Sequence, residues 1–170
     1  MAHVPVMVKE VLKFLDPKPN QNFVDCTLGD GGHAFAVLER ISPHGRLLGI
    51  DADAEAIASV ESGIMNQELG ERLVLVNANF RNLAAVVSER KFGPVHGILL
   101  DLGFSSSTLM RGSGFSFEKD EILDMRFDAS HGIRAAEIVN GWNQKQLQEL
   151  LEEYAEEKFA RDIANTIVEE

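Results

Sequence analysis

Residues 24–34 read VDCTLGDGGHA, and how this stretch folds decides how the rest of the chain is read. An apolar, β-rich run (FVDCTL, 23–28) leads into a glycine-rich turn, and helical spacing follows through Phe35, Leu38 and Ile41. Gly29-Asp30-Gly31-Gly32-His33-Ala34 satisfies G-x-G-x-x-G/A. In that pattern the first glycine makes the tight turn and the second lets a ligand approach the backbone. Free N–H groups of Gly31, Gly32 and His33 then open a helix whose dipole favours an anion. One residue does not suit a purely apolar strand: Asp25, whose ionised carboxylate is costly to bury unless it meets a partner.

The flanking sequence repeats the strand-then-helix alternation. RLLGID (46–51), RLVLVNANF (72–80) and VHGILLDLG (95–103) read as strands, and residues 54–64 and 82–91 as the helices between them. Near-continuous apolar strands alternating with amphipathic helices indicate a parallel sheet covered on both faces, an α/β fold. VMVKEVLKFL (6–15) has helical spacing ahead of the first strand. After Asp101 the texture changes. GFSSSTLMRGSGFSF (103–117) is rich in Gly and Ser without periodicity, a long loop, and helical patterns follow over 133–140 and, as two helices, over 143–170. The expected division is a nucleotide-binding core over 1–104 and a loop-and-helix region over 105–170. With four strands placed and the sequence stopping inside a helical pattern, the chain is expected to be cut from a longer protein.

Asp51 ends the second predicted strand about twenty residues beyond the glycine turn, where an acid accepts the ribose hydroxyls of an adenosine. NAD and S-adenosylmethionine both fit that much, and Asp25 separates them. A pyrophosphate beside it is repelled, whereas S-adenosylmethionine presents an ammonium and a sulfonium. Phe80, past the third strand, is placed to cover an adenine or to serve as a core aromatic. Asp101 ends the fourth strand; in strand order 3-2-1-4 it faces the same switch-point opening as Asp25.

The bulk numbers narrow the class. A chain of 170 residues buries roughly 68–70% of its unfolded surface. Its 45% apolar and 25% charged content are ordinary for a globular protein. No apolar run suits a membrane span and no signal peptide precedes the first helix, so a cytoplasmic protein is expected. Cys26, the single cysteine, reads as a small buried hydrophobe, and no metal site is expected. A net charge of −11 argues against a broad basic face for nucleic acid and leaves only a local patch.

Taken in order, HVPVMVKEVL, VDCTLGDGGHA, LLGIDAD, Asn79-Phe80, GILLDLGFSS, RGSGFSF, LDMRFD and EEKFARDIANTIVE resemble the bacterial 16S ribosomal RNA cytosine-N4 methyltransferase family. The resemblance runs along essentially the whole chain. It implies a class I methyltransferase core, a Rossmann-like parallel sheet, followed by part of a helical substrate-recognition domain. By position, the S-adenosylmethionine contacts it implies are Gly31, Gly32, His33, Asp51, Phe80 and Asp101, with Asp25 added from its place in the strand. Thr108 stands where a cofactor-contacting glutamine is usual. The implied reaction is methylation of the exocyclic amine of a cytidine in 16S rRNA within the small ribosomal subunit, by a protein whose relatives can dimerise. Asp101 is the candidate acceptor for the N4 hydrogens and His33 a second one. Phe104, Phe115 and Phe117 are candidates to receive the unstacked base, and Arg111, Arg126 and Arg161 for a docking patch. An NAD-dependent oxidoreductase and a catalytically incomplete binding fragment are the alternatives.

Overall fold

The computed structural model describes residues 5–64, 67–104, 108–109 and 112–170, the side chains of residues 67 and 68 excepted. The chain divides into two compact units, 1–107 and 108–170. In the first, the element order is α1 (Val8–Leu15), β1 (Phe23–Asp25), α2 (Gly32–Arg40), β2 (Leu47–Asp51), α3 (Ala54–Gly63), α4 (Gln67–Arg72), β3 (Leu73–Asn77), a 3-10 turn (Phe80–Asn82), α5 (Leu83–Glu89) and β4 (Gly97–Leu99). The strands form one parallel sheet in the order β3-β2-β1-β4. Asp25 pairs with Gly49 on one side and Leu99 on the other.

Strand alternation splits the core into two layers. Phe23, Leu47 and Leu73 turn to the face where Val37, Leu38 and Ile41 of α2 and Val60 of α3 pack, with Leu12 and Leu15 of α1 against the same cluster. Val24, Leu48 and Ile50 turn to the other face, joined by Cys26, Val86 of α5 and Phe92. Side chains of successive strand residues point to opposite faces, so a strand covered on both sides must be apolar throughout. Asp25 is the exception in β1, and it is 2% exposed.

The strands are shorter than the sequence suggests. β1 ends at Asp25 rather than residue 28, although the Cys26 N–H still donates to Leu99 O (2.9 Å). α4 was not expected at all. QELGER carries no apolar period, and Arg72, expected to open the third strand, closes this helix instead. Its guanidinium is buried: Nη2 donates to Leu38 O (2.6 Å) in the last turn of α2, and Nε to Gly45 O (2.8 Å). Carbonyls in a helix's last turn lack intrahelical donors and carry the negative end of its dipole, so a buried cation there is doubly favoured.

In the second unit, α6 (Ala135–Gly141), α7 (Gln144–Ala155) and α8 (Ala160–Glu169) follow a folded loop. Asn143 Oδ1 accepts from Gln146 N (3.0 Å) and Gln146 Oε1 from Asn143 N (3.1 Å), a capping box that starts α7. The end of the expected loop that is described, residues 112–117, is held by close backbone contacts. Gly114 has φ +78, and a Cβ there would lie 2.6 Å from Ile122 O. Met125 N donates to Ser113 O (2.8 Å), and Ala135 N to Asp124 O (2.9 Å), tying LDMRFD between the loop and α6. Among the described residues no helix is long and apolar enough to cross a membrane.

Arg72→Met keeps the buried volume and removes both donors, stranding two carbonyls. It is expected to lower unfolding stability by about 2–3 kcal/mol, read as a reduced urea midpoint with unchanged slope.

Candidate functional site

The carboxyl ends of β1, β2 and β4 meet the start of α2, and short hydrogen bonds fix their side chains. Asp25 Oδ1 accepts from Thr27 N (3.1 Å). Thr27 Oγ1 in turn accepts from Asp101 N (2.8 Å), which fastens the turn after β1 to the end of β4. Asp101 Oδ2 lies 3.4 Å from Nε2 of His33, the second residue of α2. Asp51 Oδ2 accepts from Gly29 N (2.8 Å) and Oδ1 from Asp53 N (2.9 Å), so the glycine turn is held to the end of β2. Each Asp51 oxygen thus receives a backbone donor.

Two buried atoms lack a partner among the described residues: Asp25 Oδ2 and His33 Nδ1. Burial pushes the Asp25 carboxyl up from the usual 3.8 to about 6. The Thr27 amide and His33 pull it down, while the charges of Asp51 and Asp101 push it up further. Three acids around one crevice favour a cation there and disfavour a phosphate. Cys26, beside Asp25 in sequence, has its thiol pushed up to about 11 by burial and by that carboxylate, so it packs as a neutral side chain.

The glycine turn differs from its expected form in two ways. The Gly31 N–H is not free, since it donates to Leu28 O (2.8 Å). Nor is the space at Gly31 open to a ligand in the Cβ direction: a Cβ there would lie 2.8 Å from the Phe35 ring and 3.2 Å from Val60, and its φ is +80. Glycine is needed here for the turn and for seating α2 against α3. At Gly32 a Cβ would run into Pro5 (2.6 Å). Phe80 opens the 3-10 turn and is 41% exposed, which removes the core-aromatic alternative. The structure therefore brings Asp25, His33, Asp51 and Asp101 to one sheet edge.

The candidates beyond residue 107 belong to the second unit. Thr108 is buried at the start of the second unit. Phe115 packs its ring 5.2 Å from that of Phe127, and Phe117 stands fully exposed. Arg126 is committed to Asp124 through Nε (2.7 Å) and Nη2 (2.8 Å), which removes it as a free docking cation. Arg161 is exposed on α8, and Arg111 lies outside the described residues. Sequence reasoning missed Thr27. A hydroxyl between a strand-end acid and the first glycine is the signal that marks it.

Because Asp25 binds its proton more tightly folded than unfolded, its stabilising contribution is complete below about pH 4 and is lost as pH rises through about 6. Above that, burying the charge costs roughly 3 kcal/mol. Asp25→Asn keeps the acceptor for Thr27 N–H. It is expected to raise the stability of the ligand-free chain at pH 8 by up to about 3 kcal/mol and to leave it nearly unchanged at pH 4. Urea unfolding at the two pH values measures this.

Comparison with known proteins identifies the family. Residues 1–170 match the MraW methylase family. Ribosomal RNA small subunit methyltransferase H of Dehalococcoides mccartyi is 45% identical over 98% of this chain and 48% of its own length. The protein of that name from Thermomicrobium roseum is 44% identical over 99% of this chain and 52% of its own length. The chain thus spans about half the length of the curated relatives it matches. A crystal structure from Clostridium thermocellum, proposed to be an rRNA methylase, superposes with a TM-score of 0.50 at 21% identity, covering 62% of this chain and 56% of that one. At that identity the likeness speaks for the fold alone, a partial class I methyltransferase sheet. By its match along the full length, the chain belongs to the MraW methylase family.

Proposed function

We propose that this chain binds S-adenosyl-L-methionine and that its protein methylates the N4 amine of a cytidine in 16S ribosomal RNA of the small subunit, in the cytoplasm. The observation that carries the cofactor reading is the buried, unpartnered Oδ2 of Asp25, in a crevice shared with the carboxylates of Asp51 and Asp101. An orphaned carboxylate oxygen at 2% exposure is a standing cost that a cationic ligand removes. The methionine end of the proposed cofactor carries that charge, and a dinucleotide pyrophosphate carries the opposite one. Asp51, at the end of β2 beside the glycine turn, suits ribose hydroxyls; exposed Phe80 suits an adenine face. Gly32 and His33 offer the backbone of the first turn of α2 to the ligand carboxylate.

When bound, the cofactor supplies an electrophilic methyl group on sulfur. The protein's part is to hold the acceptor in line and manage a proton. Cytosine N4 is a weak nucleophile because its lone pair is delocalised into the ring, so positioning supplies most of the acceleration. Asp101, its side chain 56% exposed at the end of β4, is placed to accept an N4 hydrogen as charge develops. His33 Nε2, 3.4 Å away, steadies that carboxylate. Reaching N4 requires the base to leave its stack. The relatives named for small-subunit ribosomal RNA support that substrate for this chain.

Calorimetric titration of the 170-residue chain tests the reading. S-adenosylmethionine is expected to bind and NAD to give no heat, and Asp25→Asn is expected to weaken cofactor binding about tenfold or more. Binding of NAD in preference would overturn it in favour of an oxidoreductase, and binding of neither in favour of a non-catalytic fragment. In the catalytic protein, Asp101→Asn is expected to cut transfer by about 10²-fold or more; near wild-type turnover would remove Asp101 as proton acceptor.

A further inference from the structure

Sharing His33 and Asp101 with the acid crevice lies a cavity of about 300 Å³ whose other walls the cofactor reading does not use. One wall is the segment leading into and through α1, with Met7, Val11 and Phe14; the other is the end of β4, with Leu99 and Leu100. Three polar side chains reach it: His33, Asp101 and Glu10. His33 is nine-tenths buried, and its Nδ1 has no partner among the described residues. The size is at the lower end for a ligand pocket, which suits a single planar ring better than a nucleotide.

The geometry points to Glu10 as a specificity-determining residue: this cavity takes the unstacked acceptor base, with its exocyclic amine between the carboxylates of Glu10 and Asp101 and its ring against the apolar walls. This rests on the proposed function and extends it to a residue outside the cofactor crevice. An ionised carboxylate only accepts hydrogen bonds. Two of them facing one edge match an amine, which has two hydrogens to give, and repel a carbonyl, which has none. Cytosine carries the amine where uracil carries O4, so the pair selects cytosine by attraction and rejects uracil by lone-pair repulsion. The same two charges keep phosphate out, so a base enters and the backbone stays outside. Glu10 also has an ordinary explanation, an acid in the first turn of α1. That role places a charge near the N-terminus but gives no reason for it to border a mostly apolar cavity.

The test uses this chain saturated with S-adenosylhomocysteine and follows the methyl NMR signals of Val11, Leu99 and Leu100 while cytidine or uridine is added. Cytidine is expected to shift them at millimolar concentration, at least about tenfold more tightly than uridine. In Glu10→Gln that preference is expected to fall to within about threefold with cofactor affinity unchanged, because the amide can donate to O4 as well as accept from N4. Val11→Trp, which fills the cavity, is expected to abolish both nucleoside responses and leave cofactor binding intact. Cofactor binding without any cytidine response, or a preference that survives Glu10→Gln, would overturn the assignment and leave the proposed function standing. Failure of S-adenosylhomocysteine to bind the unaltered chain would instead overturn the proposed function, and the assignment with it.

Discussion

The crevice depends on one unsatisfied demand: Asp25 is buried at the end of a central strand and, among the described residues, has a hydrogen bond for only one of its two oxygens. A fold selected for stability alone would place an apolar residue there, as it does at Val24 and Cys26 on either side. The sheet keeps the carboxylate and bears the desolvation, visible in a carboxyl pushed up to about 6. Such a cost persists where the surrounding structure over-determines it and where a ligand relieves it.

The neighbours are arranged around that demand. Thr27 couples β1 to β4 through its hydroxyl, so the positions of Asp25 and Asp101 are set by one two-residue span. Asp51 holds the glycine turn by accepting Gly29 N–H, which fixes the start of α2 and with it His33. Asp25 and Asp51 therefore each perform a structural task with part of the carboxylate, by accepting backbone N–H groups, whereas Asp101 is held by its own N–H on Thr27. Arg72 supports the arrangement from the far end of α2 by meeting the Leu38 carbonyl in its last turn.

Most of this frame is legible in the sequence because strand runs and helix spacing follow from which faces must be apolar. Order β3-β2-β1-β4 and the meeting of Asp25 with Asp101 follow once the strands are placed. What escaped is what periodicity does not encode. α4 has no apolar stripe; it adds Leu69 against the core cluster and one buried guanidinium. Phe115 lies in a stretch without period, so its pairing with Phe127 depends on how the loop closes through Gly114. Gly31 was legible as an obligatory glycine, yet for the wrong reason: its missing side chain makes room for Phe35 and Val60. Glu10 was hidden because it belongs to a helix that reads as a cover for the core. Only the folded chain shows that the same helix walls a cavity ending at Asp101.

The acidity of the chain, which by itself argues against an RNA partner, takes a different meaning at this edge. Phosphodiester contacts supply most of the affinity in ordinary nucleic-acid binding, and an acidic surface forgoes them. A methyl transfer to an exocyclic amine needs the opposite of a phosphate site. The donor brings a positive sulfonium, and the acceptor becomes more positive as its nitrogen is alkylated, so carboxylates stabilise both partners. On the proposed reading, Asp25, Asp101 and Glu10 make the crevice hostile to the RNA backbone and hospitable to one extruded base. If that reading holds, affinity for the RNA substrate comes from surfaces away from this edge, and the charge of the crevice is set by the proposed chemistry rather than by the polymer it acts on.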